Sequence, residues 1–131
     1  MKSFTIQKTL QSSYDDALSR LPEVLKSEGF GVLTEIDVQA TLKAKLGADF
    51  RRYKILGACN PPLAHKALTV DLQVGAMLPC NVVVWENDAG KAVVAAIDPM
   101  MTFAAQGGPP ALQEIAADVR QRLERVVARM E

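Results

Sequence analysis

Two Cys-Asn pairs and a single histidine are the residues of this chain best suited to chemistry: Cys59-Asn60, His65 and Cys80-Asn81. A thiolate is a nucleophile and a soft metal ligand, and imidazole changes charge near neutral pH, so their convergence would support thiol redox or thiol-transfer chemistry. The separation of 21 positions from Cys59 to Cys80 fits neither a C-x-x-C redox motif nor a paired-knuckle zinc pattern. Together with His65 they would offer a metal two sulfurs and one nitrogen, and Met77, Met100 and Met101 add soft sulfur suited to a copper(I)-like ion. With one histidine and no clustered ligands, no metal and no cofactor are expected. The plainer reading of the same residues is structural: both cysteines as small buried hydrophobes, the methionines as core filler, and His65 as a partly exposed, hydrogen-bonded side chain.

Whether the thiols meet depends on how the middle strands run. Arg52 to Ala58 reads as a strand that Cys59 follows, and Leu78 to Glu86 as a strand that Cys80 enters. Three consecutive valines and Trp85 make the second run apolar on both parities, as in a strand covered on both faces. Between them Asn60 caps a helix opened by Pro61 or Pro62 and continued by Leu63, Lys66, Ala67 and Val70 to about Asp71. A parallel crossover would leave Cys59 and Cys80 on opposite edges of the sheet, about 20 Å apart. An antiparallel arrangement delivers them to one edge, and an extended return over Leu72 to Pro79 spans up to about 27 Å, more than the roughly 15 Å advance of the helix. If they meet, the helix start beside Cys59 favours a thiolate, and His65 assists if its ring turns back.

The flanking sequence supplies the remaining elements. Lys2 to Thr9 alternates as a half-buried strand. Ser12 or Ser13 caps a helix with Asp15 and Asp16 in its first turn and Tyr14, Ala17, Leu18, Leu21 and Leu25 as its apolar stripe. Pro22 predicts a bend in it, and Gly29 a left-handed stop. Phe30 to Val38 is a strand in which Phe30, Val32, Thr34, Ile36 and Val38 share one parity, with Glu35 and Asp37 facing the other way. Gln39 to Leu46 is a short helix stopped by Gly47. Asn87-Asp88-Ala89-Gly90 is a hairpin turn, after which Lys91 to Ile97 returns antiparallel until Asp98-Pro99 ends it. A linker containing Gln106-Gly107-Gly108-Pro109-Pro110 precedes a helix from about Pro110 to Arg129. The architecture expected is α+β, a mostly antiparallel five-stranded sheet packed with helices, in one domain over residues 1–131.

Composition narrows the function classes. Fifteen basic residues balance fifteen acidic ones, and only 5% of residues are aromatic, so neither a phosphate-neutralising field nor a base-stacking platform for nucleic acid is expected. No apolar run approaches the roughly 20 residues that cross a bilayer. The opening Met1-Lys2-Ser3-Phe4 leads into alternation rather than an apolar block, so a cytoplasmic protein with free thiols is the expectation. No nucleotide-binding, nicotinamide-binding, serine-hydrolase or metallohydrolase motif is present.

The run L-G-A-C-N-P-P-L-A-H-K-A-L, followed by L-P-C-N-V-V-V-W-E and later Asp98-Pro99, resembles the bacterial family called domain of unknown function 302. The upstream G-F-G-V-L-T-E-I-D-V and the Gln39 to Leu46 helix extend the resemblance over roughly Gly29 to Pro99. It implies a compact α+β domain acting as a homodimer, and it implies no catalytic residue. Three functions follow from the residues. The first is binding of a small ligand near Cys59, Asn60, His65, Cys80 and Asn81; the second, a redox enzyme or sensor using Cys59 and Cys80; the third, a homodimeric interaction module.

Overall fold

The computed structural model describes residues 3–131, the side chains of Phe103 and Gln106 excepted. Its strands are β1 (Thr5–Thr9), β2 (Gly31–Asp37), β3 (Tyr53–Cys59), β4 (Cys80–Glu86) and β5 (Ala92–Ile97), and its helices are α1 (Tyr14–Ser27), α2 (Val38–Leu46), α3 (Pro61–Val70) and α4 (Pro110–Arg129). The strands form one sheet in the order β1-β5-β4-β3-β2. Every neighbouring pair is antiparallel, which makes this the α+β architecture that the sequence implied. Lys2, where the first strand was expected to begin, lies outside the described residues.

Local chemistry sets the ends of the helices. Ser13 accepts from Asp16 N at the start of α1, and Gly29 (φ 86°) turns the chain away after its end. Asn60 caps α3 ahead of Pro61 and Pro62, and Gly47 (φ 65°) stops α2. In each case an end with unpaired backbone groups is met by a side-chain oxygen or by a residue free to adopt the left-handed conformation. The hairpin turn closes through Asn87, whose Oδ1 accepts from Ala89 N and Lys91 N at 3.0 Å each.

Strand alternation sorts the core. Leu56 and Ala58 of β3, Cys80, Val82 and Val84 of β4, and Val94 and Ala96 of β5 are buried on one face beneath α1 and α4. Leu21 and Leu25 of α1 and Leu123 and Val126 of α4 complete this core, each fully buried. Burying a leucine or valine side chain contributes roughly 1.5–3 kcal/mol, so this layer dominates the stability. At one end of it, Glu28 ties α1 to α4 and α3. Its carboxylate, 7% exposed, pairs with Arg125 and Arg129, and its carbonyl accepts from Arg122 and from Asn60.

Two details differ from the sequence reading. A β-bulge between Val32 and Thr34 breaks the single parity expected for the second strand. One extra residue reverses the alternation, so Val32 joins the core while Ile36 is 47% exposed on the far face. The expected extended return over Leu72 to Pro79 is instead a 3₁₀ turn over Leu72–Met77. Two short 3₁₀ turns, Pro99–Met101 and Phe103–Gln106, occupy the linker before α4. Among the described residues no helix is long and apolar enough to cross a membrane.

Candidate functional site

The antiparallel pairing of β3 with β4 brings both cysteines to one edge of the sheet. Ala58 lies opposite Cys80, so Cys59 is one step beyond the partner of Cys80. Both thiols are free and they are not close. Burial pushes the Cys80 thiol up to about 11, with Cys59 a smaller cause in the same direction. A thiol held protonated is a poor nucleophile. The space bordered by Cys59, Asn60 and Cys80 is about 30 Å³, room for a water molecule or two.

The other residues singled out in the sequence go elsewhere. Asn60 is buried with both ends of its carboxamide engaged: Oδ1 accepts from Leu63 N at 3.3 Å and Nδ2 donates to Glu28 O at 3.4 Å. His65 is exposed and borders a groove between α3 and α4 with Lys66, Glu114 and Asp118. It is not among the residues bordering the cysteines. Asn81 points to the opposite face of the sheet from Cys80, opposite Gly57. The two Cys-Asn pairs are therefore divided between a packed interior and an open surface. Asp98, expected to end a strand, accepts from Met100 N at 2.9 Å and pairs with Arg120 Nε at 3.0 Å, so it anchors α4 as well as the turn.

The face of the sheet turned away from α1 and α4 carries the more extensive arrangement. Its central rows are Tyr53, Ile55 and Gly57 of β3, Asn81, Val83 and Trp85 of β4, and Val93, Ala95 and Ile97 of β5. Thr5, Gln7 and Thr9 flank them on β1, and Thr34 and Ile36 on β2. None of these positions holds Asp, Glu, Lys or Arg, although such residues make up 23% of the chain. Tyr53 and Trp85 stack with ring centroids 5.8 Å apart and planes 7° from parallel, and Phe50 leans on Tyr53 at 6.3 Å. Burial raises the Tyr53 phenol above its ordinary value, so it too is uncharged at neutral pH. A concavity of about 470 Å³ lies between the Tyr53–Trp85 stack and Phe4, over Val83 and Ala95.

With this geometry in place, the comparisons with known proteins are decisive for family. The family described as "Domain of unknown function DUF302" matches residues 6–130. The chain belongs to this family. A crystal structure of an uncharacterized conserved DUF302 protein from Bacillus stearothermophilus is similar over 99% of this chain and 100% of its own, at 36% identity and a TM-score of 0.90. No curated protein matches. In this DUF302 domain residue-type reasoning, which favours cysteine and histidine, does not single out the open sheet face. The available signal was β4 itself, whose apolar residues occupy both parities.

Proposed function

We propose that this DUF302 domain works as a homodimeric interaction module, with the open sheet face as the contact between two copies. The observation that carries the reading is the complete absence of Asp, Glu, Lys and Arg across the strand positions of that face. A two-fold contact sets a patch against itself, and a patch without charges meets its copy without repulsion or the cost of burying an ion. Size supports the same reading. Five strands about 4.8 Å apart and about six residues long make roughly 400 Å² in projection. The exposed Phe4, Phe50, Met77 and Met101 on its rim, with the relief of the side chains, carry this toward the roughly 800 Å² per partner of a stable contact. The partner sheet would supply the second cover that β4 calls for.

Two other readings draw less support. A ligand beside Cys59, Asn60 and Cys80 has only about 30 Å³ to occupy, and a thiol couple is disfavoured by the burial of Cys80. The test is sedimentation across the micromolar range with wild type and Val83→Arg, which places a charge at the centre of the face. Concentration-dependent dimerisation abolished by the substitution is expected; a wild type that stays monomeric throughout overturns the reading.

A further inference from the structure

We propose that the open face carries a groove for an uncharged, elongated apolar molecule, running from Trp85 to Met77 and Met101. A second concavity of about 400 Å³, bounded at its far end by Met77, Met101 and Thr102, shares Asn81 and Ile97 with the one beside Trp85. The two adjoin along β4 and together make up the proposed groove. Pro79 to Trp85 spans about 20 Å at roughly 3.3 Å per residue, which sets the length of the occupant.

The lining defines the chemical class. The floor is Val83, Ala95 and Ile97, one end is walled by stacked aromatic rings and the other by flexible thioethers. Among the described residues no acidic or basic side chain borders either part. A carboxylate or phosphate would lose its hydration there with no counter-charge in return. The polar groups are neutral, the carboxamides of Gln7 and Asn81 chief among them, and neutral donors and acceptors suffice to orient a largely apolar molecule.

The proposal rests on the dimer reading for its roof. Two sheets pack about 10 Å apart by interdigitating side chains. The large residues of this face, Phe50, Tyr53 and Trp85, can make that contact. Along Ala95, Asn81 and Thr5 the side chains are too short to fill the gap, and the ligand takes that space.

N-phenyl-1-naphthylamine, neutral and flat, is titrated into the full chain while energy transfer from Trp85, the sole tryptophan, is followed. Sedimentation is run on the same samples. Anilinonaphthalene sulfonate serves as the charged counterpart, and the exposed Asn81→Asp places a carboxylate in the groove. Saturable transfer in a dimer, weakened about tenfold or more both by the sulfonate and by the substitution, is expected. A dimer without saturable transfer, or with binding indifferent to either charge, overturns the ligand proposal and leaves the dimer standing. A strict monomer overturns both, because the groove then has no roof.

Discussion

Arg125 of α4 holds the carboxylate of Glu28, just past the end of α1, at 2.8 Å. Arg129 reaches the other oxygen at 3.2 Å, so a single buried acid joins the two helices that cover the sheet.

The hydrogen bond from Arg125, and then the charges around it, hold the Glu28 carboxyl below its usual range. A carboxyl depressed in the folded state stabilises above the unfolded pKa, near 4.5, and loses that contribution as pH falls through the folded value. Glu28→Ala should therefore cost about 1 kcal/mol at pH 7, a figure discounted because both arginines are half-exposed. The difference from wild type should shrink below about pH 4. Urea unfolding at pH 7 and pH 3 checks this; an equal difference at both would contradict it.

The cysteines should behave unequally. With Cys80 buried and its thiol pushed up to about 11, roughly one molecule in a thousand carries that thiolate at pH 8. Iodoacetamide should label Cys59 in the native protein and reach Cys80 only after denaturation, as read by intact mass. Rapid double labelling of the folded chain would sink this assignment.

Gly57 sits on the open face where a Cβ would land on Thr34 Oγ1 and within 2.7 Å of Pro79 Cγ. Gly57→Ala should destabilise by about 1–3 kcal/mol through displacement of those neighbours. Denaturant midpoints decide the matter, and a neutral substitution would mean that the contact relaxes freely.

Asn60 serves two partners at once, capping α3 and bonding to Glu28 O. Asn60→Ala should cost about 1–2 kcal/mol while leaving self-association intact, because the residue lies on the side of the sheet away from the open face. Loss of the dimer in this variant at temperatures where it stays folded would argue for a contact surface other than the one proposed.

Much of the fold was legible in the sequence because its causes are local. Gly29 and Gly47 stop helices by their own backbone freedom, Asn60 and Ser13 cap by reach of a few residues, and the Asn87–Gly90 turn dictates its own hairpin. The bulge at Leu33 was not legible, since an extra residue in an edge strand leaves no mark until its partner β3 fixes the register. Nor was the partner of Glu28, drawn from a helix nearly a hundred residues away.

The same division governs the site. By itself the sequence determined which residues could react, which family the chain resembles, and that β4 is apolar on both parities. Tertiary structure alone decided that Cys59 and Cys80 share an edge without coming close, that His65 joins a different groove, and that an uncharged face lies open. The reason is that reactivity belongs to a residue type, whereas proximity and exposure belong to strand order and pairing, which long-range packing sets.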